Sequence, residues 1–268
     1  MNWIVVIARN NIHLTKAAVK SFLAQDIGNV AVLLINNAST DGTAAWMATL
    51  PASIRQIHLS GQKSVAESWN YGISWCFKQG ADRVLVCNND VVIGPETFAC
   101  LSAFCDHKNG VEGLDKSRPA FVTCVGVNLP EQNHHPALEW SYHIRPHPDF
   151  SCFMITNGVF DEVGPFDEEM KIAYCEDSDY HVRMHRAGIK AVCVDIPFLH
   201  QGAATIKMAG IDEAETISHQ AALNRERFYA KYGVRIGTPE YDTLFTPETF
   251  GIDAPNRLNS TARGLCPT

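Results

Sequence analysis

The stretch Val84-Leu85-Val86-Cys87-Asn88-Asn89-Asp90-Val91-Val92-Ile93-Gly94 decides the fold. An apolar run ends in three small polar residues, and the last of them is a carboxylate. A short apolar run bounded by turn residues reads as a buried strand. A strand that delivers a carboxylate at its carboxyl tip suits an open α/β sheet, where ligands bind beyond the strand ends. An Asx-rich turn would look the same without any chemistry, so the neighbouring stretches have to decide.

Upstream, strands at 3–8, 30–35 and 54–59 alternate with helical patterns. These patterns are 14–25, the segment carrying Trp46 and Met47 and stopped by Pro51, and a face marked by Val65, Trp69, Ile73, Cys76 and Phe77. Downstream, Pro95 suits the first position of a helix. Strands are expected at 120–127, 151–156 and 191–194, followed by a strand-like run at 196–199 that His200 ends. A short helix is expected at 159–164, and a longer one at 177–187 closed by Gly188. A last helix buries Ile217, Ala221, Phe228 and Tyr232. This alternation predicts an α/β fold, a Rossmann-like and mostly parallel central sheet flanked by helices, in a single domain. Residues 106–119 are polar, and 128–150 are rich in Pro, His, Asn and aromatics without periodicity; both read as loops. Beyond Gly233 the chain reads as a tail that wraps the surface.

A length of 268 residues fits one domain with ample core. The net charge of -7 argues against a nucleic-acid backbone as partner, because phosphates want a basic surface. The nine cysteines form no CxxC pair, and several sit in apolar runs, as reduced thiols of a cytoplasmic protein do. No apolar run reaches membrane-spanning length, and residues 1–8 lack the basic flank of a signal peptide. Peripheral attachment at the inner membrane face stays open. There is no P-loop, GxGxxG, GxSxG or HExxH. His181 and His185 are spaced i, i+4. His134, His135, His143 and His147 show no standard zinc spacing.

Three constellations add to Asp90. Asn36-Asn37-Ala38-Ser39-Thr40-Asp41-Gly42-Thr43 ends the second strand, where small polar groups can bond a heterocycle or ribose, and where Asp41 is expected to cap the next helix. Glu176-Asp177-Ser178-Asp179 opens a helix whose macrodipole favours ionised carboxylates, so one of them can act as general base towards a hydroxyl. His200 ends a late strand. Beside Asp90 it would complete a mixed nitrogen and oxygen metal site, better suited to Mn2+ than to Mg2+.

Taken in order, these stretches resemble family 2 glycosyltransferases of the GT-A fold. The set also includes Gln62-Lys63-Ser64-Val65-Ala66-Glu67-Ser68-Trp69-Asn70-Tyr71-Gly72 and Gly164-Pro165-Phe166-Asp167-Glu168, and it spans residues 3 to 205. The resemblance implies that Asn88-Asn89-Asp90 is the DxD-type motif, with Asp90 and His200 holding the metal on a nucleotide-diphosphate sugar. It implies donor contacts from Ala8, Arg9, Asn37, Ser39, Gln62, Asn70, Asn88 and Asn89, and Asp177 as catalytic base. Asn37 stands where an acid is usual, Ser64 for a frequent Gly, Trp69 for a frequent Arg, and Asn88 for the first acid of DxD. The implied organisation is a GT-A domain at 1–235, with a nucleotide-sugar half near 1–95, an acceptor half near 120–205, and a tail at 236–268. The implied reaction is an inverting, metal-dependent transfer to a hydroxyl, in glycan or polysaccharide assembly. A sugar nucleotidyltransferase and a catalytically silent nucleotide- or carbohydrate-binding module are the alternatives. Donor sugar, acceptor and oligomeric state are not specified.

Overall fold

The computed structural model describes residues 1–106, 121–124, 142–144, 148–194, 196, 198–202 and 210–251. Its centre is an eight-stranded sheet of order β3-β2-β1-β4-β8-β6-β9-β7. Strands β1 (Asn2–Ala8), β2 (Val30–Asn36), β3 (Ile54–His58) and β4 (Arg83–Asn88) run parallel, with β1 between β2 and β4. β1, β2 and β4 are nearly continuous apolar runs because helices cover both faces, while β3, at the sheet edge, carries Arg55, Gln56 and His58. Ile4, Val6 and Ala8 point to one face, against Ala18 and Phe22 of α1 (Ile12–Leu23) and Phe98 and Leu101 of α4 (Thr97–Asp106). Trp3 and Val5 point to the other, against Trp69 and Ile73 of α3 (Val65–Lys78). Helix α3 lies so close to the sheet that a Cβ on Gly72 would sit 2.6 Å from Val5 Cγ1.

The second half of the sheet mixes directions. β8 (Cys152–Thr156) is antiparallel to both β4 and β6 (Phe121–Cys124), β9 (Ala191–Val194) is parallel to β6, and β7 (Tyr142–Ile144) is antiparallel to β9. Strand order reverses at β1, so the crevice beyond the tips of β1, β2 and β4 is where an open α/β sheet binds ligands.

The opening stretch is, as expected, a strand that ends at the Asn88-Asn89-Asp90 tip; the chain then resumes as β5 (Val91–Ile93), which pairs with β10 (Phe198–His200) in a separate antiparallel ribbon. Two expectations change. Helix α4 starts at Thr97 rather than Pro95, whose carbonyl accepts the Asp26 N–H at 2.9 Å. Within 128–150 there is a strand, β7, too short for alternation to reveal it. Residues 107–119 of the expected loop, 125–127 of the expected strand, and positions 134, 135 and 147 lie outside the described residues, while Asp106 ends α4.

The last long helix is α7 (Ile211–Tyr232). After it the chain forms a one-turn helix, α8 (Pro239–Asp242), followed by 3-10 turns. Tyr241 and Leu244 are buried there in a small third core with Met170, Val182 and Phe228. The described part of the tail is thus packed on α6 (Glu176–Arg186) and α7 and adds to the core.

Candidate active site

At the crevice the tips of β1 and β2 are bound to each other. Ala8 C=O accepts the Asn37 N–H at 2.8 Å and the Ser39 hydroxyl at 3.3 Å, while Ser39 Oγ accepts the Asn10 N–H at 2.9 Å. Asn10 and Asn11 both hold left-handed backbone, at φ 56° and 54°, a conformation Asn tolerates better than most residues. The cap placed by sequence at Asp41 falls instead on Gly42. Asp41 Oδ2 takes the Ile12 N–H at 2.8 Å, and its Oδ1 takes the Thr43 hydroxyl at 2.6 Å. It therefore ties the loop after β2 to the first turn of α1.

Arg9 lies over this loop. Its guanidinium donates to Ala38 C=O, to Gln62 Oε1 at 3.2 Å and to Glu213 Oε1 at 3.2 Å. The structure thus brings Arg9 and Gln62 together and adds Glu213, from the first turn of α7. Asn37 is buried, and its amide clasps the Lys63 backbone, donating to the carbonyl at 2.9 Å and accepting the N–H at 2.7 Å. This fixes the segment before α3. A capping box follows, with Glu67 N–H on Ser64 Oγ at 3.1 Å and Ser64 N–H on Glu67 Oε2 at 2.8 Å. The spacing Ser64-Val65-Ala66-Glu67 was the available signal for it.

Asn70 has a structural position. It donates to Phe166 C=O and Glu168 Oε1, each at 2.9 Å, and accepts Phe166 N–H at 2.7 Å. Both N–H groups of its amide are engaged in joining α3 to the Gly164-Pro165-Phe166-Asp167 loop. Asn89 is likewise internal, donating to Thr15 Oγ1 at 3.0 Å and Asn10 C=O at 3.3 Å. Asn88 is held through its N–H on Ser151 C=O at 2.9 Å.

Asp90 and His200 meet. β5 and β10 place His200 across from Val91, and His200 Nε2 lies 3.4 Å from Asp90 Oδ1. Burial opposes a charge on His200, but the hydrogen bond and charge of Asp90 prevail and raise its pKa. Among the described residues no set of three or more His, Cys, Asp or Glu is arranged around a common metal position. A two-residue donor set of imidazole and carboxylate, partly open to solvent, fits an ion whose remaining ligands come from a diphosphate and water.

The third part is α6. The loop before it is strained, with Ile172, Tyr174 and Cys175 at φ 60°, 77° and 74°. Left-handed backbone at a β-branched residue is costly and persists only where surroundings enforce it. The enforcing groups are Asn224, fully buried on α7, which donates to the carbonyls of Lys171, Ala173 and Tyr174 at 2.8–3.0 Å, and the Val65 N–H on Ile172 C=O at 2.8 Å. The result delivers Glu176, Asp177 and Asp179 in the first turn of α6.

The three carboxylates differ. Asp179 is fully buried and takes Arg183 Nε at 2.8 Å, Tyr232 OH at 2.8 Å and Lys231 Nζ; these cations outweigh burial and lower its pKa. Burial, and then the charge of Asp177, raises Glu176 to about 8, so it holds a proton at neutral pH. Glu176 Oε2 meets no hydrogen-bond partner among the described residues. Burial also raises Asp177, against the opposing Ser178 N–H at 2.7 Å. With Glu176 neutral and Asp179 paired, Asp177 is the carboxylate left to accept a proton. Asp149, before β8, was not singled out in sequence. Its charge acts on both Asp177 and His200.

His181 and His185 do share a face of α6, as their spacing implies. That face packs on the tail: His181 stacks on Phe245 with ring centroids 4.3 Å apart, and His185 Nε2 is 3.1 Å from Thr246 C=O.

This fold, with an Asx-rich strand tip facing a late histidine and an acidic helix start beyond the sheet's switch point, is the GT-A architecture. Residues 3–113 match the model of the Glycosyl transferase family 2, the family that the motif order resembles. The dTDP-rhamnosyl transferase RfbF of Shigella flexneri is 26% identical over 174 residues, covering 60% of this chain and 58% of that protein. The chain therefore spans less than two thirds of that relative's length. TarS of S. aureus, solved as residues 1–349, superposes with a TM-score of 0.54 at 15% identity, over 91% of this chain and 77% of that one. The mannosyltransferase PcManGT from Pyrobaculum calidifontis, solved with GDP-Man and Mn2+, gives the same score, identity and coverage. No described helix is long and apolar enough to cross a membrane.

Proposed function

We propose that this chain is a metal-dependent inverting glycosyltransferase that moves a deoxyhexose from a nucleotide-diphosphate donor to a hydroxyl of a glycan acceptor. The observation that carries it is the Asp90–His200 pair at 3.4 Å beyond the sheet's switch point, with the half-buried carboxylate of Asp177 at the start of a neighbouring helix. Asp90 and His200 would hold a divalent ion, Mn2+ rather than Mg2+, which offsets the charge on the diphosphate leaving group. The Mn2+ and GDP-Man bound by PcManGT support that reading, and the dTDP-rhamnosyl transferase relative supports a dTDP-deoxyhexose donor.

The chain's own residues do the rest. Arg9, Gln62, Asn37 and Ser39 line the nucleotide side, with Ala8 and Asn88 at the strand tips. Asp177 takes the proton of the acceptor hydroxyl, and its raised pKa makes it a stronger base than an exposed carboxylate. Glu176, neutral at working pH, spares Asp177 a second negative charge beside it. One base acting on the face opposite the leaving group gives inversion, with the acceptor in the place that water takes in inverting hydrolases. The described cysteines are thiols outside any disulfide, which suits a reducing cytoplasmic setting.

Thermal stability against dTDP, UDP, GDP and CDP, with and without Mn2+, tests this. A ligand at a hundred times its Kd adds about 2.7 kcal/mol, or roughly 5–10 °C for a chain of this size. An Mn2+-dependent rise with dTDP is expected. A folded sample indifferent to all four nucleotides, or one that responds equally without metal, would overturn the reading.

A further inference from the structure

A row of three cysteines lies beneath the Asn88-Asn89-Asp90 turn. Cys87 is on β4, Cys152 on β8 and Cys124 on β6, and all three are fully buried. Cys152 Sγ is 3.6 Å from Cys87 Sγ and 3.6 Å from Cys124 Sγ. The register explains the closeness. Asn88 N–H bonds Ser151 C=O, and Asn157 N–H bonds Asp82 C=O at the far end of the same antiparallel pair. Hydrogen-bonded pairs alternate along such a ladder, so Cys87 and Cys152, directly opposite each other, form a non-hydrogen-bonded pair. In that position the Cα atoms lie about 4.5 Å apart, inside the range of about 4.4–6.8 Å that a disulfide spans. Cys124 follows Thr123, which pairs with Phe153, so it falls beside Cys152 on the other flank.

We infer that these three residues form an oxidation site, in which a two-electron oxidant of the peroxide class joins Cys152 to Cys87, with Cys124 as the exchange partner. The Cys152 thiolate attacks a peroxide oxygen, giving a sulfenic acid and releasing one water once the leaving hydroxide takes up a proton. The Cys87 thiol then attacks that sulfur, forming the disulfide and releasing a second water. Two thiols and one hydrogen peroxide become one disulfide and two waters. Attack by the Cys124 thiol on Cys152, its proton passing to the departing Cys87 sulfur, moves the bond to the β6 side and restores the Cys87 thiol, with no net electron change.

Cys152 is the residue to start the sequence, because the Cys124 hydrogen bond, and then the one shared with Cys87, favours its thiolate. Burial in an apolar core makes access slow. Proximity compensates for this in the second step, which is unimolecular. The cross-link would tie the strand that ends in Asn88 to the strand whose Ser151 carbonyl holds it.

The test is hydrogen peroxide treatment of the folded full-length protein, alkylation under denaturing conditions, and peptide mapping without reductant. A Cys87–Cys152 linked peptide is expected as the main product, with Cys124–Cys152 as the minor one. Cys124→Ser should keep the first link, and Cys152→Ser should leave Cys87 and Cys124 unlinked. If all three residues are alkylated in the treated wild type, the inference is overturned. It also fails if Cys87 joins Cys124 in Cys152→Ser, since the register separates them. None of these readouts needs a nucleotide or metal, so the outcome is independent of the proposed transferase activity.

Discussion

Replacing Asp179 by Asn should be among the most damaging single-atom changes in the molecule. Asp179 is fully buried, and Arg183, which donates to it at 2.8 Å, is 9% exposed. The substitution leaves the Arg183 guanidinium, stacked over the Tyr180 ring at 4.8 Å, without its counter-charge. Removing one partner of a buried pair costs about 3–5 kcal/mol. Lys231 adds little, because it is one third exposed and water screens its charge. A loss of about 3–4 kcal/mol is expected at neutral pH, or roughly 6–15 °C in Tm. The pH dependence has a definite sign. The folded-state pKa of Asp179 lies below its ordinary value, so its contribution is present above the unfolded-state value, about 3.9, and is lost as pH falls through the folded-state one. The gap between wild type and Asp179→Asn, followed by urea denaturation across pH, should be level from neutrality to mild acid and close on further acidification. Adding Arg183→Met should recover much of the loss, because an apolar replacement removes the orphaned charge. A gap below about 1 kcal/mol at neutral pH, against the range expected for a buried pair, or a gap that widens in acid, would refute this account.

The same structure yields three further expectations. Asp90→Asn and His200→Ala should each abolish the Mn2+-dependent part of nucleotide stabilisation, read in the same thermal assay, while leaving the metal-free Tm within about 1 kcal/mol of wild type in stability terms. Asp177→Asn should keep nucleotide and Mn2+ binding and lower sugar transfer by about 10²–10⁴-fold, the usual contribution of a general base, as measured by nucleoside diphosphate release in the presence of acceptor. Gly72→Ala should destabilise by about 1–3 kcal/mol through overpacking, since its Cβ would meet Val5 Cγ1 at 2.6 Å; Val5→Ala in the same chain should relieve part of that cost.

Much of the scaffold was legible because it follows from local pattern. The parallel strands β1 to β4 and their helices announce themselves as apolar runs between capping and turn residues, and Asp90 and His200 stood out as polar ends of such runs. What sequence could not show depends on contacts far along the chain. The ribbon of β5 and β10 consists of two three-residue strands more than a hundred positions apart, and neither is long enough for alternation. Asn224 looks like one more polar residue in a helical stripe, yet it holds a strained loop some fifty residues earlier. Asp179 is held below the usual carboxylate range because it meets Arg183 and Lys231, whereas burial raises Glu176 and Asp177, and adjacency in sequence carries no trace of that.

The asparagines at the strand tip show why a degenerate motif can be a requirement of the fold. Asn89 uses its amide as a donor, to Thr15 Oγ1 and to the carbonyl of Asn10. A carboxylate at this position would face that carbonyl with no proton to give, and its burial would carry a desolvation cost. Asn10 in turn sits in left-handed backbone and accepts the Thr40 N–H at 2.8 Å through its side chain. The amide of Asn89 therefore joins the turn that carries Asp90 to the loops after β1 and β2. Asp90 is the one member of Asn88-Asn89-Asp90 that carries a carboxylate, and in the proposed function it would present it to a metal on a turn whose shape depends on its neighbour being neutral.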